Sequence, residues 1–154
     1  MQRLHFEDWT IDVDIETTRK YYENISDLSE CQCLYCKNYR VACNSFTSQV
    51  KGFFNKLGIN PQKEGEFTEV TIDDNKHLYL NFYHLVGNIV TAPTKVVENW
   101  NSIKHIEIDN FKSAFTNEVK LVPRDFPAPV IQLEIEVTLP WLSTETPDLQ
   151  NQGN

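Results

Sequence analysis

The sequence predicts an α+β fold in which one long helix packs on a mainly antiparallel sheet of four to six strands. Two segments alternate apolar and polar residues as half-buried strands do, and a third segment carries an apolar stripe at helical spacing. The strand segments are joined by turns rather than by regularly alternating helices, which favours antiparallel pairing.

The strands are predicted from alternation and from the turns between segments. Residues 10–16 alternate apolar with polar side chains, and residues 130–139 repeat the pattern with an acidic outer face. Residues 66–72 and 77–86 flank a polar turn and form a predicted hairpin, whose second strand Gly87 is expected to end or bulge. The remaining predicted elements are short helices at 17–24 and 94–102 and a strand pair at 103–109 and 111–115.

The long helix is predicted over residues 36–57. Its apolar residues recur at spacings of four and three, and they form one stripe: Tyr39, Cys43, Phe46, Val50, Phe53 and Leu57. Gly58 follows the last stripe residue as a left-handed cap, and Pro61 prevents the helix from continuing.

The length and composition predict one domain with its own core. Residues 1–142 are expected to form a single α+β domain, and residues 143–154 a polar, disordered tail. An apolar fraction of 40% is enough to fill the core without disulfide bonds.

The charge and hydropathy exclude several classes of partner. A net charge of −8 argues against nucleic acid and anionic lipid, because both require a positive surface. The first residues lack the apolar run of a secretory signal, and no stretch approaches the roughly 20 apolar residues that cross a bilayer. We therefore expect a cytoplasmic protein with no nucleic-acid or membrane contact, whose partner is an unidentified protein or small molecule.

A cysteine cluster is the strongest chemical signal in the sequence. Cys31, Cys33 and Cys36 place three thiols within six residues, and the spacing of the last two lets both thiolates bind one ion. Such soft ligands favour zinc over an iron–sulfur centre, so these three cysteines are the predicted metal ligands. The fourth ligand would come from a partner chain or from one of the four histidines: His5, His77, His84 and His105.

Two residues near this cluster receive structural interpretations. Cys43 lies seven residues after Cys36, about 10 Å along a helix, and therefore cannot share its ion. It also falls in the apolar stripe, so it is predicted to be a small buried core residue. His84 lies among apolar residues of a strand, which favours a core histidine bonded to a neighbour over a ligand.

The alternative chemistry of the cluster is redox chemistry. A helix N-terminus, with Lys37 and Arg40 nearby, favours the thiolate form of Cys33 or Cys36 and hence a reversible disulfide. Against this, residues 24–30 do not form the strand that precedes the cysteines in a thioredoxin-like unit. Ordinary reduced cysteines are the third interpretation.

The functional prediction follows from these observations. The sequence has no P-loop, no Rossmann glycine pattern, no nucleophile elbow and no His-Glu-x-x-His motif, and so offers no catalytic residue. It favours a non-enzymatic binding or interaction protein with a cysteine-based structural metal site. The alternative is a thiol redox protein or redox sensor that uses Cys33 and Cys36.

Several short motifs cover most of the chain from the cysteine cluster onward: Cys31-x-Cys33-x-x-Cys36-x-Asn38-Tyr39, Phe53-Phe54, Leu57-Gly58-Ile59-x-Pro61, Phe82-Tyr83-His84-x-Val86-Gly87 and Leu139-Pro140-Trp141. Together they resemble a family of small uncharacterised bacterial proteins. The resemblance implies a shared fold and cysteine motif. It implies no activity, substrate or catalytic residue.

Overall fold

The computed structural model describes residues 1–25, 33–63, 66–93 and 100–144. The described residues form three helices: α1 (Ile15–Asn24), α2 (Leu34–Cys43) and α3 (Ser48–Leu57). They form seven strands, in chain order β1 (Gln2–Phe6), β2 (Trp9–Val13), β3 (Glu66–Asp73), β4 (Lys76–Thr91), β5 (Ile106–Ile108), β6 (Phe111–Thr116) and β7 (Val130–Leu139). A 3₁₀ turn spans Trp100–Ser102, while most of the predicted helix at 94–102 and most of the predicted tail lie outside the described residues.

The prediction of one long helix on a sheet of four to six strands is wrong. The described chain has three ten-residue helices and seven antiparallel strands, and most of its regular structure is sheet. The predicted helix at 36–57 is divided between α2 and α3, because Thr47 caps the start of α3 by accepting the backbone N–H of Val50 at 3.3 Å. The hydroxyl of Thr47 also donates to Asp109 between β5 and β6, which fixes the break from outside the helix.

The apolar stripe continues across this break because both helices cover the same face of the sheet. Tyr39 of α2 contacts Tyr79 of β4, and Phe54 of α3 contacts Tyr83 four residues further along the same strand, both with ring centroids 5.3 Å apart. These four rings belong to the set of largest fully buried side chains. A helical period therefore marks one buried face here, but it does not show that the helix is continuous.

The strands form one sheet of order β1-β2-β4-β7-β6-β5, and β3 pairs with β4 beside this path. β4 is 16 residues long and has two neighbours along one edge, β3 opposite its first half and β2 opposite its last residues. On its other edge it pairs with β7 from His77 to Val86.

Gly87 lets β4 continue where the sequence predicted an end or a bulge. A Cβ atom at this position would lie only 2.2 Å from the backbone oxygen of Asp12 in β2. The two backbones can therefore approach only because the residue is glycine. β4 runs on to Thr91 and pairs with β2 over this last part.

Helix α1 completes the edge of β4 between β3 and β2. The hydroxyl of Tyr22 donates to the carbonyl of His84 at 2.7 Å and accepts the N–H of the same residue at 3.0 Å. The hydroxyl of Thr18 accepts the N–H of Val86 at 3.0 Å, and the N–H of Asp14 donates to the carbonyl of Val86 at 2.8 Å. Side chains of a helix thus replace a missing strand neighbour and satisfy buried backbone groups.

The Tyr22→Phe substitution is expected to reduce the free energy of unfolding by about 2–4 kcal/mol, because it leaves two buried backbone groups of His84 without their partner. Urea unfolding of the variant and the unaltered chain measures the difference. Tyr21→Phe is the matched control, since Tyr21 is only half-buried and its ring contacts do not depend on the hydroxyl. Equal losses in the two variants would contradict this account of α1.

The three helices are short. Each spans ten residues, and none in the described part of the chain is long and apolar enough to traverse a bilayer.

Candidate functional site

Cys33 and Cys36 lie at the first turn of α2 with their sulfur atoms 3.2 Å apart. Cys33 is the N-cap residue, and its sulfur accepts the backbone N–H of Cys36 at 3.4 Å, in the place that a serine or aspartate oxygen takes at many helix starts. Cys33 is exposed, whereas Cys36 is only 2% exposed. A disulfide bond is about 2.05 Å long, so the two sulfurs touch without being bonded to each other.

The predicted metal site consists of Cys31, Cys33 and Cys36, and the structure brings the last two together. Cys31 lies outside the described residues. Among the described residues, no group of three or more histidine, cysteine, aspartate or glutamate side chains is placed to hold a metal ion. Thiolates on one zinc lie about 4 Å apart, so the observed pair would have to open by under about 1 Å to share an ion. The donor chemistry fits zinc, and the three-cysteine site stays a prediction.

Cys43 lies at the other end of α2. It is the last residue of the helix, is 4% exposed and belongs to the hydrophobic core cluster. The structure therefore agrees with its interpretation as a small buried core residue.

His84 is a bonded core histidine, as its strand position favours. It is 2% exposed, and its Nε2 donates to the backbone oxygen of Lys120 at 2.9 Å and to Oε1 of Gln132 at 3.2 Å. Because both partners are acceptors, the proton of the neutral ring is on Nε2 and this nitrogen is not available to a metal. Burial lowers the pKa of His84 below its usual value, and the two hydrogen bonds only partly oppose this effect.

The lowered pKa of His84 predicts a loss of stability in weak acid. As the pH falls through about 6.5, the unfolded chain takes up a proton on His84 that the folded chain does not, so unfolding becomes more favourable. The loss continues down to the folded-state pKa and then levels off. Urea unfolding at pH 7.5 and pH 5.5 should show a smaller fall for His84→Gln than for the unaltered chain. An equal fall in the two chains would contradict this account of His84.

His77 packs against the turn of α2 that carries the cysteine pair. Its ring centroid lies 6.1 Å from that of Tyr35 and 5.0 Å from that of Trp141. It is 2% exposed, and its Nδ1 lies 2.7 Å from Oε1 of Glu69. Within the described part of the chain its Nε2 has no hydrogen-bond partner. A carboxylate on Nδ1 favours the tautomer that leaves the lone pair on Nε2.

The other two histidines lie elsewhere. His5 is exposed on β1 and its Nδ1 is 3.0 Å from the hydroxyl of Thr10, and His105 packs on Trp100 with ring centroids 4.3 Å apart. Of the four histidines, only His77 has a ring contact with the first turn of α2 among the described residues.

Asn38 fastens the segment after β7 to α2. We call residues 140–143 the strap. The side-chain oxygen of Asn38 accepts the N–H groups of Leu142 at 2.6 Å and Ser143 at 3.0 Å, and its nitrogen donates to the carbonyl of Pro140 at 3.2 Å. The same nitrogen donates to the hydroxyl of Tyr79 at 3.1 Å. Two donors and two accepting positions are all that an asparagine amide has, so this fully buried side chain is saturated.

Tyr79 connects the strap contact to the cysteine turn. Its hydroxyl accepts from Asn38 and donates to the backbone oxygen of Tyr35 at 3.1 Å. Burial raises the pKa of Tyr79 above its usual value; the hydrogen bond from Asn38 opposes this, and the negative charges of Glu69 and of the cysteine pair add to it. The hydroxyl therefore stays protonated and remains a donor.

The sequence prediction missed Asn38, Tyr79 and the Glu69–His77 pair as parts of the site. One signal was present, because Asn38 is the single amide among the buried residues of α2, where a polar side chain requires partners. The pairing of Glu69 with His77 had no signal, since it depends on the register between β3 and β4.

The fold and the site together define an α+β protein with a seven-stranded antiparallel sheet in its described part and a close cysteine pair at the start of a helix. No protein-family model, no curated protein sequence and no solved structure matches the chain. The resemblance to a family of small bacterial proteins stays a prediction.

Proposed function

We propose that Cys33 and Cys36 are a redox-active thiol pair that converts reversibly to a disulfide, and that the protein is a non-enzymatic redox sensor of the cytoplasm. One observation carries this proposal: two sulfurs 3.2 Å apart at a helix start, of which Cys33 is exposed and Cys36 is buried. The exposed sulfur can meet an oxidant, and the buried one can then close the disulfide.

The helix start favours this chemistry at Cys33. The cysteine thiolate is the nucleophile in thiol–disulfide exchange, and the N-terminal end of a helix attracts negative charge. The backbone N–H of Cys36 donates to the sulfur of Cys33 at 3.4 Å, so this sulfur lies against the N-terminal end of the helix. The sequence predicts that Cys33 or Cys36 lies at a helix N-terminus, but it does not show which of the two is the cap residue.

The oxidation proceeds through a mixed disulfide. The thiolate of Cys33 attacks a small disulfide such as glutathione disulfide, forms one new sulfur–sulfur bond and releases one glutathione thiol. The thiolate of Cys36 then attacks the sulfur of Cys33, forms the internal disulfide and releases the second glutathione. Two electrons pass from the protein sulfurs to the glutathione sulfurs, and the two thiol protons end on the released glutathione.

Equilibration of the full chain with mixtures of reduced and oxidised glutathione tests the function. After acid quenching and alkylation, mass spectrometry should show a species that carries two fewer alkyl groups than the reduced chain, and its peptide map should link Cys33 to Cys36. Cys43→Ser is the control and should give the same titration, because Cys43 lies in the core. Cysteines that stay fully alkylated at every ratio would contradict the function.

Metal binding is the second candidate function. The protein would then be a binding or interaction protein with a structural zinc site. The observation that favours it is the same pair of nearly convergent sulfurs, together with Cys31 two residues earlier. Three thiolates at one point would hold zinc and anchor the chain before α2 to the helix.

Elemental analysis of protein purified without chelator tests the metal. One zinc per chain is expected, and Cys31→Ser should abolish its retention. With both proteins stripped of metal, the substitution should leave the glutathione titration of Cys33 and Cys36 unchanged. A zinc content well below one per chain removes this second function. A disulfide that forms only after treatment with a chelator would show that both functions use the same sulfurs.

A further inference from the structure

The cysteine turn and the strap are joined through Tyr35. This residue lies between Cys33 and Cys36 in the sequence, and its backbone oxygen accepts the hydroxyl of Tyr79, which in turn accepts from Asn38. The ring of Tyr35 also meets that of Trp141 edge to face, with centroids 5.7 Å apart. The turn that holds the two thiols therefore touches the strap by two routes, one through hydrogen bonds and one through rings.

Disulfide formation changes this turn. The sulfurs must approach by about 1 Å to reach bonding distance, and the peptide groups of residues 34 and 35 lie inside the ring that is closed. The sulfur of Cys33 also becomes a poorer acceptor for the N–H of Cys36 once it is covalently bonded. The hydrogen bonds of Asn38 span 2.6–3.2 Å, and its amide has no spare donor or acceptor with which to follow a displaced partner.

We propose that oxidation of Cys33 and Cys36 releases the strap from α2 and thereby exposes the side chain of Trp141. This inference rests on the proposed redox function. The two electrons and two protons leave the cysteines for glutathione disulfide, as described above, and the closed disulfide ring displaces the carbonyl of Tyr35. The structure described here, with two thiols and a docked strap, is the reduced state of the switch.

Fluorine NMR of the full chain labelled with 5-fluorotryptophan tests the switch. The chain has three tryptophans, Trp9, Trp100 and Trp141, and Trp141→Phe assigns the third resonance. Oxidation with glutathione disulfide should shift and narrow the resonance of Trp141 and leave that of the buried Trp9 in place. Chymotrypsin cleavage after Trp141 should accelerate about tenfold in the same sample, because a released strap can enter the active site of the protease.

The double variant Cys33→Ser/Cys36→Ser is the matched control, and oxidant should change neither its resonance nor its cleavage. A Cys33–Cys36 disulfide that leaves both readouts of Trp141 unchanged would overturn the switch while the redox function stands. If no disulfide forms at any glutathione ratio, the redox function and the switch fail together.

Discussion

Cys36→Ser is expected to trap glutathione on Cys33. The exposed thiol of Cys33 still attacks glutathione disulfide, but the thiol that would resolve the mixed disulfide is missing. The adduct should therefore accumulate to nearly one per chain. In the reciprocal variant Cys33→Ser, the remaining thiol of the pair, Cys36, is 2% exposed, so glutathionylation at Cys36 should be slower by at least an order of magnitude.

Intact mass spectrometry over time measures both rates, and peptide mapping locates the adduct. The serine side chains have nearly the size of cysteine, and a serine at position 33 provides a capping oxygen in place of the sulfur. The fold is therefore expected to persist, and circular dichroism verifies this. Equal adduct formation in the two variants would contradict the assignment of an exposed attacking thiol and a buried resolving thiol. The Cys43→Ser chain should form the internal disulfide at the unaltered rate.

Asn38→Ala is expected to lower the free energy of unfolding by about 3–5 kcal/mol. The substitution removes four hydrogen bonds, two from strap N–H groups and two to the oxygens of Pro140 and Tyr79. Each buried group that loses its partner costs about 1–3 kcal/mol. The total cost is smaller than the sum of these values, because water can hydrate the groups of the strap. Urea unfolding followed by circular dichroism measures the loss.

Asn44→Ala provides the matched control on the same helix. Asn44 is exposed at the end of α2, and its side chain accepts one surface hydrogen bond from Gln62 at 3.2 Å. Its replacement should cost less than about 1 kcal/mol. Comparable losses at the two asparagines would mean that the strap contributes little to stability and that the hydrogen bonds of Asn38 contribute less to the free energy of unfolding than expected.

Much of the local structure was predictable because it depends on neighbouring residues. Alternation placed β7 at residues 130–139 without error, and the hairpin of β3 and β4 follows from two apolar segments around a polar turn. Gly58 ends α3 in the left-handed conformation that the sequence predicts for it. The cysteine spacing likewise predicts that Cys33 and Cys36 meet, because residues three apart face each other at a helix start.

The errors arise where distant residues decide. The division of the long helix depends on Thr47, whose hydroxyl is held by Asp109 more than 60 positions away. The extent of β4 depends on the close approach of β2 to Gly87, and β1 was missed because its pattern is short and partly exposed. The spacing of residues along the chain does not predict such long-range contacts.

By itself, the sequence determined the chemistry of the site: three clustered thiols, two of them placed to meet at the first turn of a helix. Only the tertiary structure decided which thiol is exposed, which histidine packs beside that turn and which side chain fastens the strap to it. The physical reason is that a helix start is built from consecutive residues, whereas burial and the partners of Asn38 are set by strands and a chain segment that lie 41 to 105 positions away.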